Sequence, residues 1–472
     1  MKLKNIFVIS ILCLSFTACQ SFLEVEDEGR SSIPVFFSDM DGVRAALPGA
    51  YSRIYKYYDS EFLLYPDVAG DMLEMTIVGA DTKMAPQFNY ISNPDQTIGA
   101  VSYIWEYCYD ALTNINNIIN YYPALLEKFP GNKNELNNIM ANALFLRALV
   151  HFDLVKVYAQ NYNYTTDASH LGIPIVLKIP GPNDNLKRNT VENVYAQILG
   201  DLKDADALFE GASFNENKAP YYASSSAVQG LLARVSLYMG KNEEAIMHAS
   251  KAIEAKSLSQ GPDYINVFTQ NNFVGETIFK LNGWLQKSAT SSFYNNGPIG
   301  FASTKLITLF QDQEDIRLDL LQVQNNGTHS TLKHTKTDVN QGEVQYDLIL
   351  MRASEMYLIR AEANIKLNSL EEAKSDLKSL IARALQKTPI EIEITENTQE
   401  EMMNLLMNER AKELAFEGHR LFDLSRNHQS LERAENTLST VQFIAYPSDL
   451  FILPIPQAEI DANTNILQNS GY

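Results

Sequence analysis

Two well-separated segments of this chain spell the same supersecondary unit, and that repetition limits the fold more than any other feature of the sequence. ARVSLYMGKNEEA, residues 233–245, aligns with AEANIKLNSLEEA, residues 361–373. Ala233 meets Ala361, Gly240 meets Asn368, and Glu243-Glu244-Ala245 meets Glu371-Glu372-Ala373. Both segments read as helix, tight turn, helix. A small alanine at the crossing lets two helices approach closely, and glycine or asparagine readily takes the left-handed conformation that ends the first of them.

Apolar periodicity extends the pattern to four helix pairs, about 38–58 with 99–125, 134–160 with 190–210, 222–238 with 241–255, and 350–367 with 369–385. Only the last two pairs have short connections; the others are interrupted by long loops containing Gly, Pro and Asn, which in compact proteins are usually functional or disordered. The pairs resemble tetratricopeptide repeats. That resemblance implies a mainly α fold with a right-handed superhelical scaffold. Trp105 begins a helix with Tyr109, Leu112, Ile115 and Ile119 on related faces and belongs to the core. Tyr51 and Tyr55, four apart, do so too, whereas Tyr57 and Tyr58 are free to be partly exposed.

The front of the chain bears on its compartment. Lys2 and Lys4 precede an apolar stretch from Ile6 to Phe16, and FTAC follows at 16–19. A charged start and an apolar run this short describe a secretory signal rather than a spanning helix. The cysteine resembles that of a bacterial lipobox, which implies a signal over residues 1–18, acylation of Cys19, and a lipid-anchored tether over 19–37 that includes Glu24, Glu26, Asp27 and Glu28. Residues 38–472 are then expected to form one domain, with helical repeats over about 38–256 and 350–386 and a loop-rich second subdomain over about 257–349 and 387–472 packed against them. Of the three cysteines, Cys19 and Cys108 outlast such cleavage, so acylation leaves no intrachain disulfide. No further stretch reads as long and apolar enough to cross a bilayer. A net charge of −19 argues against nucleic acid or anionic lipid as a partner.

The segment NERAKELAFEGHRLFDLSR, residues 408–426, is the densest run of charge near the C-terminus. Glu409, Glu413 and Glu417 recur every four residues, placing three carboxylates on one helical face with Arg410 and Lys412 beside it. Gly418 then supplies the residue that most easily ends a helix, so the run reads as helix, stop and short second turn. Packed charges of this kind are best explained as a partly buried ion-pair network that fixes how the helix docks, with His419 included.

This run closely resembles the C-terminal signature of SusD/RagB proteins, surface lipoproteins that capture oligomeric nutrients for a partner transporter. Further similar pieces are WEYCYDALTNINNII (105–119), FLRALVHFDLVKVYA (145–159), VENVYAQILGDLKDADALF (191–209), YDLILMRASEMYLIRAEA (346–363) and the tail from Pro454-Ile455-Pro456 to QNSGY. Gln160 departs from the pattern, which often has glycine there. The resemblance implies a non-catalytic glycan-binding lipoprotein of the outer-membrane surface that passes oligosaccharides to a SusC-like TonB-dependent transporter. A RagB-like peptide-binding protein is the alternative. It also implies that the long loop between the first two helices contributes to the ligand pocket.

Catalytic patterns are missing. There is no GxSxG elbow, HExxH helix, GxGxxG or Walker loop, and no pair of CxxC motifs. His329 and His334 lie on a hydrophilic stretch that reads as an exposed loop or hairpin, and neither a metal nor a cofactor is expected. DQEDIRLD (312–319) lacks the glycine of a calcium loop, so Asp315 and Arg317 are expected to pair or cap a helix. A sugar site needs aromatic platforms flanked by amides and acids. Trp284 follows the strand-like ETIFKLNG and opens the polar loop LQKSATSSFYNNGPIG, which makes Trp284, Tyr294 and Asn295 ligand candidates. Asp71, with Phe88 and Tyr90, represents the first long loop.

Overall fold

The computed structural model describes residues 32–472 apart from 78, 80, 180, 182–183, 211–219, 284–287, 296–297, 311, 313 and 337–345. The chain divides into two compact units, Met1–Ala45 and Ala46–Tyr472. The second unit is mainly helical. Eight helices form its framework: α1 (Met40–Tyr57, from Ala46 onward), α2 (Ala100–Lys128), α3 (Lys133–Tyr158), α4 (Val191–Glu210), α5 (Ser225–Tyr238), α6 (Asn242–Ala255), α7 (Ala353–Lys366) and α8 (Leu370–Ala384). These are the eight that periodicity predicts.

Packing follows chain order from α2 through α3, α4 and α5 to α6, and α6 then packs on α7, so the two repeated units stack directly. Their turns are equivalent. Gly240 has φ +73° and Asn368 φ +60°. In each turn the next residue's N–H reaches back, Lys241 to the Ser236 carbonyl (2.9 Å) and Ser369 to the Asn364 carbonyl (2.8 Å). This left-handed cap satisfies carbonyls that a helix end leaves open. Ala233 and Ala361 are fully buried, as a close crossing requires.

Ion pairs join the framework helices, two of them buried, Arg147–Asp201 from α3 to α4 (2.7 Å) and Arg234–Glu355 from α5 to α7 (2.6 Å), and one half-buried, Arg360–Asp376 from α7 to α8 (2.6 Å). Each fixes the register of a crossing, since sliding it would strand a charge away from water. Contrary to the expectation from sequence, one helix, α3 with its preceding turn, is apolar enough by length and composition to cross a bilayer; its apolar window is 89% buried within the protein. It is the central helix of the core.

A π-helical turn, Tyr58–Phe62, continues α1. Tyr57 and Tyr58, expected to be partly exposed, are both buried, and their hydroxyls donate to Asp153 Oδ2 on α3 at 2.8 and 2.6 Å. Trp105, Tyr51 and Tyr55 lie in the core as their spacing predicts.

The rest of the unit holds short antiparallel ribbons, β1 (Leu73–Met75) with β3 (Gly300–Ala302), β2 (Thr277–Leu281) with β6 (Leu348–Arg352), β4 (Leu321–Val323) with β5 (His329–Thr331), and β7 (Leu431–Glu432) with β8 (Phe443–Ile444). β2 is the strand expected in ETIFKLNG. The polar segment after it is not simply a loop, because Ala289–Asn295 is helical. Asp59, on the π turn, caps that short helix, accepting from Ser288 Oγ (2.6 Å) and from the N–H groups of Ala289 (2.9 Å) and Thr290 (3.2 Å).

Candidate functional site

Charge is concentrated first around the C-terminal signature. Helix α9 (Gln399–Glu413) opens with a capping box between Thr398 and Glu401. Glu409 and Glu413 of this helix, and Glu417 beyond its end, meet cations drawn from across the fold, so only two of the three carboxylates expected on one helical face share it. Glu409 pairs with Arg317 (2.9 Å) and Lys412 (2.5 Å), Glu413 with Arg352 (2.6 Å) and Arg383 (2.7 Å), and Glu417 with Arg352 (2.8 Å) and Lys333 (2.6 Å). Burial pushes these acids up, but the surrounding guanidinium and ammonium groups outweigh it, holding Glu413 well below the carboxylate range and Glu417 at about 2. A general acid or base works best with a pKa near the working pH. These groups are the opposite, permanently charged and fully paired, which is the architectural network the spacing predicts. Asp315 likewise pairs with Arg317 (2.6 Å) and caps the 3₁₀ turn Ile316–Leu320.

The helix stops at Glu413, before Gly418. Phe416 and Gly418 both take positive φ (+65° and +77°) on the way to α10 (Arg420–Arg426). Glycine is needed at 418 because a Cβ would come within 2.9 Å of the Leu63 carbonyl. The Gly418 N–H donates to Asp67 Oδ2 at 2.8 Å. Burial outweighs that bond and pushes Asp67 up to about 7. A cavity of about 20 Å³ beside it, walled by Asp67, Arg410, His419 and Asp423, has room for a single water and no larger ligand. Burial pushes His419 down to about 4.

Asp71, in the first long loop, joins this network instead of opening to solvent, whereas Ile91 and Ile98 farther along the loop are exposed. Asp71 is 1% exposed and gripped by Arg420 (2.6 Å) and Lys305 (2.8 Å). Burial raises its pKa, yet these two cations outweigh it and hold the carboxyl at about 2. Phe88 is fully buried with the Arg433 guanidinium 4.5 Å from its ring centroid, so the expectation of an exposed platform there is corrected. Tyr90 is half-buried and donates its hydroxyl to the Ala69 carbonyl. Tyr294 is corrected in the same way. It is fully buried on the short helix, stacked on His334 with centroids 5.2 Å apart. His334 in turn is not exposed; its Nε2 lies 2.7 Å from the Phe416 carbonyl, and burial pushes it down to about 4. Asn295, half-buried, ends the short helix with its Nδ2 unpartnered among the described residues. Trp284, Cys19 and the leader lie outside the described residues. Among the described residues no group of His, Cys, Asp and Glu could hold a metal ion.

An open cleft of about 620 Å³ lies elsewhere, within the range of small-molecule sites. Ser52, Arg53 and Lys56 of α1, Asp59 and Ser60 of the π turn and Tyr107 of α2 line it, together with Ala289. π turns recur at functional sites because the wider turn re-aims side chains; here it sends Tyr58 inward and leaves Ser60 at the cleft. Lys56 Nζ sits 3.8 Å from the Tyr107 ring centroid, and Tyr103 stacks on Tyr107 at 5.4 Å and 13°. Arg53 meets Asp110 at 3.1 Å. Both flanks of Trp284 are tied down close by. The Gly283 N–H donates to Asp347 (3.1 Å), next to Tyr346, whose carbonyl receives the Tyr55 hydroxyl (3.1 Å), and Ser288 bonds Asp59. Two other clefts, of about 520 and 420 Å³, have mixed linings that include the acids Glu396, Glu401 and Glu409 in one and Asp95, Glu106 and Glu459 in the other. Arg53, Lys56, Ser60 and Tyr107 did not stand out in the sequence. The available signal was two four-residue spacings, Ser52 to Lys56 and Tyr103 to Tyr107, each marking one face of a helix.

Comparison with known proteins bears on both regions. Residues 320–472 match the SusD family profile, and residues 21–237 match a second profile described as starch-binding associating with outer membrane. Over its full length the chain is 24% identical to the full length of SusD-like protein P2 of Formosa agariphila. Its fold is similar to that of a SusD superfamily protein from Bacteroides thetaiotaomicron, at a TM-score of 0.81 and 26% identity, covering 91% of this chain and 99% of that one. It is also similar to a laminarin-binding SusD-like protein, at a TM-score of 0.70 and 20% identity, covering 92% and 100%.

Proposed function

The chain belongs to the SusD/RagB family, and from that premise we propose that it captures oligosaccharides in the cleft between α1, α2 and Ala289 without transforming them. The observation that carries the reading is the cleft itself, open and roomy and polar on the α1 side. Sugar hydroxyls find partners in Ser52, Arg53 and Ser60, and Trp284, adjacent to Gly283, is the candidate platform for an apolar sugar face. The laminarin-binding neighbour and the starch-binding profile support a glycan over a peptide. The same profile supports association with the outer membrane. Anchoring through acylated Cys19 and transfer of the captured glycan to a SusC-like TonB-dependent transporter complete the proposal.

Calorimetric titration of the purified full-length chain against glycan oligomers and a mixed peptide library tests it, with Trp284→Ala alongside. The expected result is glycan binding that weakens at least about tenfold in the variant, a loss of about 1.4 kcal/mol. Binding of peptides alone would sink the proposal, and glycan binding untouched by Trp284→Ala would move the platform elsewhere.

A further inference from the structure

We propose that the glycan this cleft selects is acidic, its carboxylate or sulfate pairing with Lys56. The inference rests on the glycan-capture reading above and adds the charge of the ligand. The chain has 57 acidic and 38 basic residues, so a carboxylate is the commonest charged neighbour a lysine can find. Other cations of this region have one, Arg53 meeting Asp110 and Lys83 meeting Glu61 at 3.3 Å. Lys56 pairs with no carboxylate among the described residues. It is held instead over the Tyr107 ring, which Tyr103 backs.

That arrangement differs from an ordinary surface lysine, whose ammonium wanders in water. The ring restrains the ammonium without neutralising it, because a cation–π contact leaves the charge free to meet an anion. Restraint before binding reduces the ordering that binding would otherwise require. The remaining acids of the cleft do not cancel this charge. Asp110 is engaged by Arg53, and Asp59 is engaged by Ser288, Ala289 and Thr290. Glu106 and Glu61 also act on the Tyr107 ring from nearby; Glu106 lines the 420 Å³ cleft as well, and Glu61 is engaged by Lys83. Arg53 uses Nη1 for Asp110, which leaves its other N–H groups as donors to the same ligand. Lys56 covers Tyr107, so this ring orients the ammonium and the stacking platform must be another residue.

The test is titration of the full-length chain with three oligosaccharides of equal length, a neutral glucan, a polyuronate and a sulfated galactan, at low salt and at about 0.5 M salt, where charge interactions between exposed groups are strongly screened. At least one acidic oligomer is expected to bind about tenfold or more tighter than the neutral one, and salt is expected to shrink that preference. Lys56→Met is expected to cut the acidic-to-neutral ratio about tenfold, and Lys56→Arg to retain it. Preference for the polyuronate alone identifies a carboxylate, and for the galactan alone a sulfate ester. An equal or tighter neutral ligand, or a ratio unmoved by Lys56→Met, overturns the acidic ligand and leaves glycan capture standing. If no oligomer of either charge binds a chain that melts cooperatively, both fall together.

Discussion

Two regions of this molecule gather charge, and they use it in opposite ways. Around Glu413 every ion is buried, and its partners come from β6, α8 and the Ile316–Leu320 turn, so the charges bind the protein to itself. Around Lys56 the ammonium is exposed and rests on a ring instead of an acid. Dense charge in a sequence therefore says little about function until burial is known. The conspicuous run at 408–426 is architecture, and an inconspicuous lysine on the first helix is the better mark of a site.

The sharpest way to break this contrast is to remove one charge from each region. Glu413→Ala takes from buried Arg383 its nearest carboxylate and from Arg352 one of three, Glu276 and Glu417 being the others, and is expected to cost about 3–5 kcal/mol in chemical denaturation. Lys56→Met is expected to change stability by less than about 0.5 kcal/mol, as an exposed substitution should. Equal losses in the two variants would end the distinction. Next in size is the acid limb of stability. Asp71, Glu417 and Asp423 are held at about 2 because their cations outweigh burial. Their contribution is complete above the unfolded carboxylate range near 4 and is lost as pH falls toward 2, on the order of 2 kcal/mol for Asp71. Denaturant midpoints measured from pH 5 to 2 should show it, and Asp71→Asn should flatten the curve.

Asp67 carries the reverse sign. Its pKa is raised to about 7, so the folded state holds the proton more tightly, and stability falls as pH climbs from about 4 through 7. Asp67→Asn keeps an acceptor for the Gly418 N–H and should raise the melting temperature more at pH 8 than at pH 4; an equal shift at both would refute the assignment. The smallest effects compare the two repeated turns. Gly240→Ala forces a Cβ into positive φ and should cost about 1 kcal/mol, whereas Asn368→Gly should change stability by no more than about 0.5 kcal/mol.

The helices were legible because their cores repeat every three or four residues, and the turn between repeats was legible because Gly240 and Asn368 are residues that tolerate positive φ. The Asp315–Arg317 pair was legible because its partners are two residues apart. What escaped was set by distant chain. The helix Ala289–Asn295 is capped by Asp59, which no local pattern in its Ser- and Thr-rich stretch announces. Tyr294 looked like a ligand contact because its stretch is polar, and Asp71 and Phe88 because the family resemblance implies a pocket on their loop, yet all three are buried by residues far along the chain, among them Arg420, Arg433 and Phe416. The cleft pairs a lysine of α1 with a tyrosine of α2, and neither residue is unusual alone.

The Asp71–Arg420 contact spans 349 residues. At about 5–20 residues per second, synthesis delivers the arginine roughly 20–70 s after the aspartate. Until then only Lys305, 234 residues after Asp71, can draw that carboxylate inward, whereas the helix pairs between can form from local contacts. A chain ending before Glu409 should accordingly be cut by protease within residues 65–90 while its helices resist, and resistance there would show that the loop closes unaided. On this timetable the final fifth of the polypeptide acts as a latch, and the protein stays open near its beginning until its end has been made.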